Sequence, residues 1–351
     1  MSTGARSLAG NLLPALLCLL VSAGCSANYA TPTQPVTPSV GGSSTGMSIS
    51  KGEKLVYVAD TGLNSPYGEV LIYEQGHLGA APVGTITDGL DSPNQLFVDQ
   101  AGTLYVSNGG GFITEYPFGS SQPSTTLSFP GGFMPSSLSV DSKGNVYSGA
   151  DILRSLGGGK YSWYWNIFGF KRGETQPSLQ IKSLRNPFGL ANDRLGNLYV
   201  SWGATRERGH GAHLHVSECP PMSGACVDLS LHTPAYASGG ALQLDLKGDL
   251  DVGEQDHGVA GWIGIYQPGS VKPNRSIFSH RCYAWTFALD AQNDRLYCTY
   301  KNLQGVGLGL VSVFDYGTGK YIRRFGYKYI YNEFVSGVGV YPAQKLGPPF
   351  K

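Results

Sequence analysis

The chain has 351 residues with 25 basic and 24 acidic side chains, a balance that gives it no net field to draw it to nucleic acid or to an acidic surface. Charged residues are only 14% of the total, against roughly 25% in an average soluble domain. With 50 glycines and 21 tyrosines, the composition favours short strands joined by many tight turns over a helical protein.

The first predicted element is an export signal. Arg6 lies in a short polar start, the apolar run LLPALLCLLV follows, and SAGC brings small residues up to Cys25. That run is too short to span a bilayer stably. It resembles a bacterial lipoprotein signal, with Ser22 where leucine is usual, and the resemblance implies removal of residues 1–24 and lipidation of Cys25. Ordinary secretory cleavage after Ala23 is the competing reading. Ser26 behind the cysteine implies, by analogy with Gram-negative sorting, the outer membrane. An extracytoplasmic protein touching the membrane through its lipid alone is therefore expected. Residues 25–50, SANYATPTQPVTPSVGGSSTGMSIS after the cysteine, have no apolar period and read as a disordered tether.

From Lys51 onward the chain repeats. A strand of the Leu-Tyr-Val type recurs around Tyr57, Tyr105, Tyr147, Tyr199, Asp251 and Tyr297, in steps of 48, 42, 52, 52 and 46 residues. Steps of that size match a propeller blade. Before each mark except the first lies a strand ending in aspartate: Asp99, Asp141, Asp193, Asp245 and Asp290. The first four are followed three residues later by Gly102, Gly144, Gly196 and Gly248. Such an aspartate can bond its own backbone ahead, and the glycine accepts the positive φ that closes a hairpin. The sixth unit carries an extra residue and Asp294 in place of the glycine. A third strand ends near Tyr73, Tyr116, Tyr266 or Phe314.

The first unit lacks its leading strand, and FVSGVGVYPA at 334–343 looks like that strand without a partner. Pairing the two closes a ring and removes an exposed edge. The expectation is an all-β, six-bladed propeller over residues 51–346, with four-stranded antiparallel blades and a short tail at 347–351. A seventh, degenerate blade inside one long step is the alternative count. The strand, Asp-x-x-Gly, Leu-Tyr-Val pattern resembles NHL repeats and the six-bladed propellers of the senescence marker protein and gluconolactonase group.

That resemblance implies a divalent metal, calcium or another, at a channel mouth in the hydrolases of the group. Asn94, Asn186 and Glu254 are the oxygens this chain could offer to a hard cation, although the asparagines read better as caps of strands beside Pro93 and Pro187. The family's early glutamate and late acid have no match by motif. His213 and His215, two apart in a strand, share a face and with His210 and His257 could begin a zinc site, but with no third ligand at defined spacing solvent-facing or hydrogen-bonded histidines are the better reading. YSWYWNIFGF at 161–170 would set Tyr161, Trp163 and Trp165 on one side of a strand, as a stacking platform if exposed or as filling between blades if buried. Cys219 and Cys226 bracket a short loop and are expected to pair. Cys282 and Cys298 are expected to stay apart, because a regular hairpin centred near Gln292 separates them by about 13 Å along the strand, beyond the roughly 7 Å reach of a disulfide. Two functions follow: a tethered scaffold binding a protein or glycan with no cofactor, or a metal-dependent, lactonase-like hydrolase in the channel.

Overall fold

The computed structural model describes residues 49–61, 67–182, 184–203, 214–233, 237–256, 260–300, 309–326 and 335–350. Cys25, the signal and most of the expected tether lie outside them, as do His210, His213 and His257. Among the described residues there are six antiparallel sheets and almost no helix.

Each sheet is a blade whose strands run outward from a central axis. Blade 2 shows the plan: Pro93–Val98, Leu104–Asn108, Phe112–Tyr116 and Thr125–Ser128, each paired with the next. In blade 3 the inner strand is broken into Met134–Pro135 and Ser139–Val140. The inner strands of blades 4, 5 and 6 are Pro187–Asn192, Ala237–Leu244 and Phe287–Leu289. Blade 1 takes its inner strand from the far end of the chain. Val335–Tyr341 pairs antiparallel with Leu55–Asp60, Leu55 facing Tyr341 and Val58 facing Val338.

Both faces of every blade are apolar, so each blade must be covered by two neighbours. Six hydrophobic clusters meet that need, one in each seam around the ring. Val338 and Val340 of the closing strand belong to the seam between blades 6 and 1, which fastens the ring. Tyr73, Tyr116, Tyr266 and Phe314 are essentially inaccessible, and each such side chain contributes roughly 1.5–3 kcal/mol. In blade 4 the matching position, opposite Leu198, is Cys219. Its disulfide to Cys226, with Cα atoms 4.1 Å apart, occupies the place of the aromatic ring.

The aspartate corners explain the repeat. Asp141 Oδ1 accepts the backbone N–H groups of Lys143 and Asn145, and Gly144 closes the turn at φ 81°. Asp193 and Asp245 act alike toward Leu195 and Asn197, and toward Lys247 and Asp249. In blade 6 the expectation of Asp294 at the turn is corrected. Asn293 takes the left-handed conformation at φ 58° and donates its N–H to the Asp290 carbonyl, asparagine being one of the few residues that tolerate it.

Cys282 and Cys298 form a disulfide, their Cα atoms 5.3 Å apart, which overturns the expectation that they stay apart. The regular hairpin stops at Phe287, which faces Cys298. Beyond it the chain turns through Ala284 at φ 51°, and both Thr286 and Tyr283 bond Thr299, through the Thr286 carbonyl and the Tyr283 N–H. That bulge folds four residues into the space of about one pair, bringing Cys282 back to Cys298.

Candidate functional site

The aspartate corners define one face of the propeller, and the hairpins between second and third strands rise from the other. On the corner face the tail is docked. After Tyr341 the chain crosses beneath the axis, where the Gln344 side chain accepts from Gln243 Nε2 at 2.8 Å and donates to the Leu244 carbonyl. Gly347 accepts from the Arg194 N–H, and Phe350 is buried in the seam between blades 4 and 5.

The axial channel is consequently small. Residues of all six inner strands and Ala343–Leu346 of the tail line a cavity of about 110 Å³. That holds a few waters and falls short of the roughly 300–1,000 Å³ of a small-molecule site. On the other face, Phe188 of blade 4 and Trp285 of blade 6 meet edge to face at 5.9 Å, and Phe188 also lies against the bare backbone of Gly239 in blade 5.

Asn94, Asn186 and Glu254 do not line this cavity. Asn94 is the second residue of the inner strand of blade 2. Asn186 precedes the inner strand of blade 4 in a left-handed turn at φ 50°. Glu254 lies in the strand Leu250–Asp256, opposite Gly239 and Trp262 in register. It shares a face with Leu250 and Val252, in the seam between blades 4 and 5. Glu254 is 1% exposed and neither carboxyl oxygen has a hydrogen-bond partner among the described residues, so neither asparagine amide reaches it. Burial pushes its carboxyl up to about 9, which makes it a neutral acid at pH 7. Among the described residues no group of three or more His, Cys, Asp or Glu side chains is placed to share a metal ion. His215 stacks on Trp202 at 4.5 Å and bonds Asp228 through Nδ1 at 2.8 Å.

A second buried acid carries a compensation that the repeat does not announce. In blades 2, 3 and 4 the tyrosine hydroxyl of the second strand donates to its own corner aspartate. Blade 5 has Asp251 at that place, fully buried. Tyr316 of blade 6 reaches across the seam instead, its hydroxyl 2.9 Å from Asp251 Oδ1 and 3.4 Å from Asp245 Oδ2. Arg275 covers the Tyr316 ring at 4.4 Å and donates to its carbonyl. Burial holds the Asp251 carboxyl well above the usual range.

The aromatic stretch is the most exposed of the sequence candidates. Val146–Gly157 and Lys160–Phe170 form a hairpin far longer than its counterparts. Its lower half is buried in blade 3, whereas residues 151–165 extend past the blade. In register, Tyr161 faces Ser155, Trp163 faces Leu153 and Trp165 faces Asp151. Strand alternation puts the three rings on one side, about 7 Å apart, the side that lower down holds Tyr147 and Ile167 against blade 4. Tyr161 is 65% exposed and Trp163 44%, with Leu153 at 45% and Leu156 at 58% beside them. On the reverse side Arg154 lies over the rings of Phe133 and Tyr164, which braces the hairpin against the seam between blades 2 and 3.

The fold recurs among solved structures without a match in sequence. No protein-family model matches the chain, and no curated protein matches it. Among solved structures it is similar to a protein of unknown function from Bacteroides caccae, at a TM-score of 0.51 and 16% identity, over 82% of this chain and 98% of that one. At that identity the likeness is one of architecture.

Proposed function

We propose that this propeller is a binding scaffold held outside the cytoplasm by a lipid on Cys25, at the outer membrane in a Gram-negative cell, and that its blade 3 hairpin grips a protein or glycan. The observation that carries the reading is the row Tyr161, Trp163 and Trp165 on a hairpin that extends past the blade, with Tyr161, Trp163 and the facing Leu153 exposed. Apolar surface collected in one place marks an interaction site. Tryptophan and tyrosine are the side chains that supply most binding energy at protein contacts, and their flat faces also stack on sugar rings. The NHL-like repeat pattern fits a scaffold, since propellers host many functions on one frame. A lactonase-like reading gains nothing from the axial cavity, which is too small for such a substrate.

The test is capture from intact cell envelopes and from an immobilised glycan panel, comparing wild type with Trp163→Ala/Trp165→Ala. The doubly substituted protein should keep its melting temperature and lose at least about thirtyfold in affinity, the equivalent of roughly 2 kcal/mol. Equal capture by both proteins, or none by either, overturns the reading. Cys25→Ala should move the protein from the membrane fraction to the soluble one.

A further inference from the structure

We infer that the cleft between blades 2 and 3 on the corner face binds an extended segment of a partner polypeptide in which proline precedes a large apolar residue. This site lies across the propeller from the aromatic hairpin and stands independently of it.

The argument comes from two seams in which the chain fills the corresponding space itself. Between blades 3 and 4, Pro221 lies against the corner glycine Gly196, and the next residue, Met222, donates its backbone N–H to the Tyr147 hydroxyl at 3.2 Å. The Met222 side chain then enters the seam cluster. Between blades 4 and 5, Pro348 lies against Gly248, and Phe350, directly after Pro349, donates its N–H to the Tyr199 hydroxyl at 3.1 Å while its ring enters that seam. Both seams use one grammar. A rigid proline covers the glycine corner, a backbone N–H meets a tyrosine hydroxyl that is already donating to its aspartate, and an apolar side chain fills the space between blades.

Between blades 2 and 3 the receptor half is present and the inserted half is missing. Tyr105 donates to Asp99 Oδ2 at 3.4 Å. No backbone N–H among the described residues reaches its hydroxyl, which leaves an acceptor lone pair facing a cleft of about 520 Å³. Phe97, Tyr105 and Val140 supply apolar wall. The atoms nearest the open side of the corner glycine Gly144 are those of the Arg172 stem, an exposed side chain that can swing aside. A volume of that size takes two or three residues. Proline lowers the ordering cost of such a segment, since its φ is already fixed.

Full-length protein would be titrated calorimetrically with acetyl-Leu-Gly-Pro-Pro-Phe-Lys-amide, with the same peptide carrying alanine for phenylalanine, and with a photoreactive benzoylphenylalanine version. Saturable binding at one site is expected, together with loss of binding for the alanine peptide and crosslinks to residues 97–105 or 140–144. Tyr105→Phe keeps the ring and removes the acceptor, and should weaken binding about fivefold, the equivalent of one ordinary hydrogen bond. Ala101→Trp, an exposed position on the cleft wall, should abolish binding with the melting temperature retained. Crosslinks falling on 193–199 or 245–248 would mean that the peptide only displaces the protein's own tail, and would overturn the inference. Absence of saturable binding, or binding indifferent to both substitutions, would overturn it as well.

Discussion

Glu254→Gln offers a quantitative test of the seam between blades 4 and 5. In the unfolded chain this glutamate titrates near its ordinary 4.5, and in the folded protein burial raises it to about 9. Its folded pKa is the higher one, so between those values folding takes up a proton, and the contribution to stability falls by about 1.4 kcal/mol for each pH unit gained. The full contribution is present below about 4.5 and is lost progressively up to about 9. Glutamine has nearly the same shape, leaves similarly unsatisfied buried polar atoms and does not titrate. The gap between variant and wild type should therefore widen in favour of glutamine by up to about 4 kcal/mol between pH 5 and pH 8. At about 2 °C per kcal/mol for a domain of this size, that is a relative shift of roughly 8 °C in thermal melts followed by circular dichroism. Parallel pH profiles would refute the argument. A gap moving the other way, with the variant losing ground as pH rises, would mean that the carboxylate is ionised and held by a cation, and would restore the metal reading.

Two other expectations are simpler to check. Tyr316→Phe removes the hydroxyl that Asp251 accepts from and leaves a buried acid without a donor, which should cost about 1–3 kcal/mol and lower the melting temperature by several degrees; an unchanged melt would show that Asp251 finds another partner. Non-reducing peptide mapping should recover Cys282 linked to Cys298, and Cys282→Ala/Cys298→Ala should lose about 3 kcal/mol, the loop-closure value for a separation of 16 residues. Free thiols labelled in the unfolded, unreduced protein would contradict both.

The architecture is legible because its signals are local and repeated. Asp99 with Gly102 is a turn whose chemistry can be read from two letters, and four such corners at regular steps leave few alternatives to a ring. The closing strand is legible for the same reason, since Val335–Tyr341 has the pattern of an inner strand and nothing to pair with after it. What stays hidden depends on where backbones go once they leave the repeat. The bridge between Cys282 and Cys298 depends on an excursion through Ala284, a residue with no sequence signal for a left-handed turn. Tyr316 replaces a tyrosine missing from another blade, a substitution visible only across the seam. The aromatic stretch at 161–170 fits a buried strand or an exposed one by alternation alone, and the length of its partner, Val146–Gly157, decides in favour of exposure. Asn94 and Asn186 carry chemistry compatible with a cation, but neither lines the axial cavity.

The order in which the ring is assembled follows from its latch. A ribosome emits Leu55–Asp60 long before Val335–Tyr341, the strand that finishes its blade. Until that strand emerges, Leu55–Asp60 stands with one flank bare, a liability in any sheet. A chain that carries Val335–Tyr341 can weld itself shut, whereas one cut short before Val335 would keep five finished blades and a permanently adhesive sixth.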